Sequence, residues 1–381
     1  MEPIENLKTL LYQRELDAVV ICKPLNIFYF SGALVNGVLI VTTGENYLFI
    51  RRPKERPLKL KSNVKSIYFD SLKELSQHLN IPVRKAGFEL DSIPCSLLKR
   101  LSETLGVSDI LDVTHDIRMI RMVKTPFEIE KISEAGKVVS KVFENVPKIF
   151  KDGMSERDLL IELEYISKKE GNIGFYRMHS FGNEASFSHI LQGDSALISS
   201  YLDAPTGGPG ISDAFPQGAS LKKIEKNKPF TIDVMVNFDG YLADATRTFV
   251  WGKMDESVEK AWQRLYEIFL RVEADLTPGS IPENIYQKTL ELAHSLGVEH
   301  IFMGPGKDKV RFIGHGLGLE VDEYPFIAKG FKIPLNVNSV VAIEPKFISD
   351  EFGILGLEDT FVITDNGPVS VINFPRDIFK L

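Results

Sequence analysis

Five residues in the second half of this 381-residue chain have the types and spacing to do chemistry together: Asp233, Asp244, His315, Glu344 and Glu358. Each acid stands in an apolar run: IDVMVNF, YLADATRTF, VAIEPKF and GLEDTF. Carboxylates that converge in such surroundings cannot all stay ionised unaided, because each is costly to desolvate and like charges raise one another's pKa. Two divalent cations answer the four negative charges, with neutral His315 as a fifth ligand and a hydroxide left to bridge. Oxygen-rich ligation with a single imidazole suits Mn, Co, Fe or a zinc pair better than a structural zinc site built on thiolates.

Folded elements must bring these groups together. Asp233 and Asp244 lie eleven positions apart around a Phe-Asp-Gly turn. A two-residue hairpin loop puts such a pair on one face, opposite or one step diagonal. Glu344 and Glu358 lie fourteen apart, and an odd-numbered loop around residues 351–353 likewise turns them to one face. His315 sits in FIGHGLGLEVDEYP, where glycines let the backbone pass close to the metals and leave space for a substrate. Taken singly, such a histidine also fits a hydrogen-bonded loop, and a lone strand acid fits an edge or a bend. The ordered ensemble is what points to a metal centre.

Residues 1 to about 115 alternate short apolar strands (LDAVVICK, GVLIVTT, NYLFIRR, KSIYFD, KAGFEL) with helical stretches (SLKELSQHL, CSLLKRLSETL), which predicts a small α/β domain. At TPFEIEKISEAGKVVSKVFENVPKIF a new helix opens, with Thr125 as cap, Pro126 in the first position and Glu128 closing a capping box. The division expected is 1–120 and 121–381. Within the second part helices and strand pairs alternate twice, so the class is α/β (α+β) with an internal repeat.

With 44% hydrophobic residues, 25% charged residues and a net charge of -7, the chain has the profile of a soluble globular protein; nucleic acid and an anionic membrane surface are disfavoured as partners. Its N-terminus lacks the layout of a signal peptide and there is no long apolar run, so a cytoplasmic location is expected. Cys22 and Cys95 have no CxxC partner and are expected to be buried thiols.

The stretches IDVMVNFDGYLADATRTF, GHGLGLEVDEYP, IEPKF and GLEDT resemble, in this order, the motifs of the pita-bread metalloenzymes: methionine aminopeptidase, aminopeptidase P, prolidase and the metal-free creatinase. NIFYFSGA and AGFEL resemble the creatinase-like N-terminal domain, and IRMIRMVKTPFEIEKI the junction that follows it. The resemblance implies that Asp233 holds one metal, that Asp244 and Glu358 bridge both, and that His315 and Glu344 complete the other. It also implies a bridging hydroxide that attacks a scissile carbonyl, Glu344 as the group that moves the water proton, and a homodimer. An Xaa-Pro-type aminopeptidase or dipeptidase acting on short peptides is therefore expected.

Three departures qualify that expectation. Where prolidase and aminopeptidase P carry substrate-side histidines, this chain has Asp322 and Gln217, and an ionised aspartate accepts hydrogen bonds without donating them. Where prolidase often has an arginine before its last glutamate, this chain has Gly356. A long stretch from Tyr176 to Gly218 supplies His179 and His189 as possible stand-ins. These changes keep open a non-peptidase hydrolase or lyase acting on a small amide or amidine. A metal-free binding module, as some pita-bread domains have become in chromatin factors, is disfavoured by the intact ligand set.

Overall fold

The computed structural model describes residues 3–381, and the chain divides into two compact units at Arg121/Met122. The first holds a six-stranded mixed sheet in the spatial order Lys65–Tyr68, Asn46–Arg52, Asn36–Thr42, Ala18–Ile21, Lys85–Phe88, Asp109–Asp112. Five of these strands coincide with the apolar runs expected. Their inward residues, among them Val20, Ile40, Phe49 and Phe88, form the core with helix Cys95–Leu105. The expected helix SLKELSQHL is instead a 3-10 helix over Leu72–His78, capped by Ser71. Cys22 is half-buried and Cys95 is exposed at a helix start, which corrects the expectation of two buried thiols; the two are not disulfide-bonded.

The second unit is built twice from the same parts. In its first half, helices Pro126–Ile149 and Glu156–Lys169 pack on a sheet ordered Phe379–Lys380, Tyr241–Val250, Pro229–Phe238, Ser188–Gln192. The long helix starts as the sequence dictates: Thr125 Oγ1 accepts from the Glu128 N–H, and Glu128 returns a bond to the Thr125 N–H. Its apolar stripe, including Val139, Val142 and Phe143, is buried. In the second half, helices Glu256–Asp275 and Pro282–Ser295 cover a sheet ordered Val321–Ala328, Phe312–Leu317, Val340–Ile343, Asp359–Thr364, Gly367–Ser370. A separate ribbon, Lys346–Ser349 with Gly353–Gly356, extends from this second sheet. Every residue of Tyr241–Val250 is buried, because one face meets the helices and the other meets the opposite half. That second contact is where the acids lie. Among the described residues, no helix is long and apolar enough to cross a membrane.

Candidate active site

Asp233 and Asp244 come from one hairpin. Its register sets Asp233 opposite Thr246 and Met235 opposite Asp244, so the two acids are diagonal neighbours on one face. Asp239 and Gly240 make the turn with φ of 53° and 98°, the conformation that suits the twist of the flanking strands.

Glu344 and Glu358, expected to face one another across a single strand pair, instead fall just outside the strands. Ile343 pairs with Asp359 in the sheet, and past Pro345 the chain re-pairs as the ribbon, with Lys346 opposite Gly356 and a three-residue turn between Ser349 and Gly353. Both glutamates therefore stand at the joint between sheet and ribbon; the Glu344 N–H donates to the Ile313 carbonyl (3.0 Å), whereas the backbone at Glu358 bonds to the first hairpin. The Glu358 N–H donates to the Thr246 carbonyl (3.1 Å). Thr360 Oγ1 donates to the Asp244 carbonyl (2.8 Å) and accepts from its N–H (3.0 Å). Thr246 Oγ1 donates to Glu358 Oε2 (2.7 Å). These ties hold the two acid pairs against each other.

His315 lies on Phe312–Leu317, opposite Ala342. A Cβ at Gly314 would stand 2.4 Å from the Ala342 carbonyl oxygen, and one at Gly316 would stand 2.3 Å from that of Tyr324. These glycines therefore serve close strand packing, which corrects the expectation that they clear space for metals and substrate. The ring Nδ1 lies 3.3 Å from the Gly316 carbonyl and Nε2 lies 3.6 Å from Glu344 Oε1.

One member of the cluster escaped the sequence reading. Lys346, fully buried, donates from Nζ to Glu344 Oε2 (2.6 Å), Asp233 Oδ2 (3.0 Å) and Glu358 Oε2 (3.3 Å). Burial alone would lower its pKa, but the surrounding carboxylates outweigh burial and push it well above that of an ordinary lysine. One ammonium does not balance four acids. Burial, with Glu358 and Asp233 adding, raises Asp244 well above the carboxylate range; burial also pushes Glu358 up to about 7 against the pull of Lys346. Asp244 Oδ1 is buried without a hydrogen-bond partner. Asp244, His315 and Glu358 offer ligand atoms that all lie within 4.8 Å of one another. An orphaned carboxylate oxygen beside an imidazole and a second carboxylate fits a divalent ion.

All five expected ligands and Asp322 line one cleft. Of the expected substrate-side residues, His189 and Gln217 also line it. His189 stands directly opposite Asp233 in register, its Nδ1 lies 3.0 Å from Thr206 Oγ1, and burial lowers its pKa. Gln217 ties the loop together, accepting from Ser200 Oγ and donating to the Thr206 carbonyl. His179 is not brought to the cleft; its Nδ1 faces Glu320 Oε2 at 3.5 Å. The acid run after His315 divides by task. Glu323 accepts from the Leu319 and Glu320 N–H groups and from Lys124 Nζ, while Asp322, with φ of 64°, turns to the cleft and places Oδ1 3.9 Å from His315 Nδ1.

Residues 130–365 match metallopeptidase family M24, and residues 3–123 match the Creatinase/Prolidase N-terminal domain. An Xaa-Pro dipeptidase of Pyrococcus furiosus is 26% identical over 380 residues, 99% of each chain. The crystal structure of a prolidase from Pyrococcus horikoshii superposes with a TM-score of 0.81 at 23% identity, covering 99% of this chain and 100% of that one. The N-terminal domain of the FACT complex subunit SPT16 from chickpea shares the fold, with a TM-score of 0.70 at 15% identity over 97% of this chain and 96% of that one.

Proposed function

We propose, since this chain belongs to metallopeptidase family M24 and is a metallohydrolase carrying a creatinase-type N-terminal domain, that it removes the N-terminal residue of short peptides, with proline in second place. The observation that carries this reading is the convergence of Asp233, Asp244, His315, Glu344 and Glu358 on one cleft. The names of relatives such as the Xaa-Pro dipeptidase of Pyrococcus furiosus support the choice of substrate.

Asp244, His315 and Glu358, with Asp233 and Glu344 beside them, would hold divalent metal of the Mn, Co, Fe or Zn class, which when bound acidifies a water and polarises the scissile carbonyl. Glu344 takes the proton of the attacking water and delivers it to the departing nitrogen. His189, kept neutral by burial, hydrogen-bonds the substrate, while the Gln217 amide is oriented by its two bonds within the loop. Asp322 receives the peptide's α-ammonium. Gly356 offers no guanidinium to a dipeptide's carboxylate, which favours an aminopeptidase over a strict dipeptidase. We place the enzyme in the cytoplasm as a homodimer.

The same departures support a second reading, hydrolysis of a small amide or amidine. Metal-loaded protein assayed against Xaa-Pro peptides of increasing length and against a panel of small amides separates the two. Release of the N-terminal residue is expected; turnover of a small amide with no cleavage of any peptide would replace the peptidase reading with the second.

A further inference from the structure

The cation already inside the cluster bears on how many metal ions the centre takes. Lys346 Nζ bonds three carboxylates, Asp233, Glu344 and Glu358, which uses all three of an ammonium's hydrogens. Its seat is prepared by the fold. Lys346 pairs directly across the ribbon with Gly356, where a Cβ would stand 3.3 Å from Lys346 Cγ, 3.0 Å from Thr246 Cγ2 and 3.3 Å from Thr231 Cγ2. A side chain at 356 would therefore compete with the lysine stem for the same space. A second set converges beside it: Asp244, with its unpartnered Oδ1, His315 and Glu358. Asp233 and Glu344 do not join that set.

We propose that the centre is mononuclear: Lys346 is the resident cation on the Asp233 side, and a single divalent ion is held by Asp244, His315 and Glu358. This rests on the metal-dependent reading above and amends the two-ion expectation drawn from the sequence. A metal bonds carboxylate oxygen at about 2.0–2.2 Å, so an ion on the Asp233 side would crowd an ammonium that lies 3.0 Å from Asp233 Oδ2 and 2.6 Å from Glu344 Oε2. Two dications together with the ammonium would set five positive charges against four carboxylates and a bridging hydroxide, leaving no negative excess. With one dication the cluster keeps a negative excess, which suits a cleft that receives the ammonium end of a peptide.

The test is metal stoichiometry of the full chain, stripped and reloaded with Mn(II), read by elemental analysis after desalting and by electron paramagnetic resonance. One Mn per chain with the six-line spectrum of an isolated ion is expected; two per chain with a spin-coupled spectrum overturns the proposal. Lys346→Ala frees three carboxylates and should raise the count to two, and a count that stays at one counts against the lysine's role. Asp233→Asn gives a second route should the lysine variant fail to fold: the count of one should persist, whereas Asp244→Asn should abolish tight binding. A fall in Mn content on Asp233→Asn places that carboxylate on the metal and overturns the assignment. Wild-type protein that binds no metal under any loading overturns the metal-dependent reading beneath this one.

Discussion

Glu358 and Asp359 are chain neighbours, both are almost wholly buried, and they point into two different ionic clusters from opposite faces of the backbone. Around Asp359 every charge has its answer. Arg247 donates to Asp359 Oδ1 (2.7 Å) and to the carbonyls of Thr246, Glu358, Phe374 and Pro375. Asp359 Oδ2 accepts from Arg376 Nε (2.6 Å) and Ser370 Oγ (3.2 Å). Around Glu358 the acids outnumber the cation, Asp244 Oδ1 has no partner, and two carboxyl groups are pushed upward. A saturated cluster stabilises a fold, whereas an under-neutralised one is tolerated because something else is to be bound there.

Glu344→Gln should produce the largest effect that separates the two clusters. The glutamine keeps the volume and loses the proton acceptor, so turnover of an Xaa-Pro peptide by metal-loaded enzyme should fall by about 10²–10⁴-fold, with little change in the unfolding midpoint. Full activity in the variant would remove Glu344 from its role. In the saturated cluster the loss should be of stability. Asp359→Ala leaves Arg247 buried without its carboxylate and leaves half-buried Arg376 with Glu273 alone, and should cost about 3–5 kcal/mol in urea unfolding. Asp244→Asn in metal-free protein should instead be neutral or stabilising, because it removes a poorly compensated charge. Equal losses from both substitutions would erase the distinction between the clusters.

The pH dependence of the metal-free protein sharpens the contrast at a smaller scale. Glu358 is raised in the folded state from 4.5 to about 7. A carboxyl raised on folding contributes stability that is fully present below its unfolded value and is lost as pH rises through the folded one. Metal-free protein should therefore lose on the order of 3 kcal/mol between pH 4.5 and 8. Metal at a hundred times its dissociation constant should restore about 2.7 kcal/mol at the upper end. Thermal melts across this range, with and without Mn, check both; a flat metal-free profile would mean that the acids are already neutralised by partners within the fold.

The first hairpin was legible because its signals are local: an eleven-residue spacing around an Asp-Gly turn sets the register that joins Asp233 to Asp244. The Thr125–Glu128 capping box was legible for the same reason. The second acid pair was only half legible, since nothing near Glu344 or Glu358 in sequence says that the sheet ends at Pro345 and a separate ribbon begins. Lys346 sits two positions after Glu344 between Pro345 and Phe347, and a lysine in so apolar a setting was a usable signal. What placed it among the acids was its pairing with Gly356 and the approach of the opposite hairpin, which are long-range facts. Likewise, the tasks of Glu320 and Glu323 depend on His179 and Lys124, far upstream. The glycines near His315 were read as clearing space, a reason the strand packing does not support.

The smallest effect is expected at the rim of the cleft, at Asp322. Its backbone lies in the left-handed region, with φ of 64°, where Asp, Asn and His are the side chains most readily accommodated. Asp322→His should therefore fold without added strain, so a change in its kinetics reports on the side chain. The aspartate accepts hydrogen bonds, whereas a neutral histidine also donates one, and the position lies 3.9 Å from the His315 ring. If Asp322 receives the α-ammonium, the variant should lose a few-fold in kcat/KM on Xaa-Pro peptides, on the order of 1 kcal/mol. Metal content should stay unchanged, because Asp322 is not one of the convergent ligands. Unchanged specificity would return Asp322 to the same standing as Glu323, an acid held by the fold for the fold's own sake.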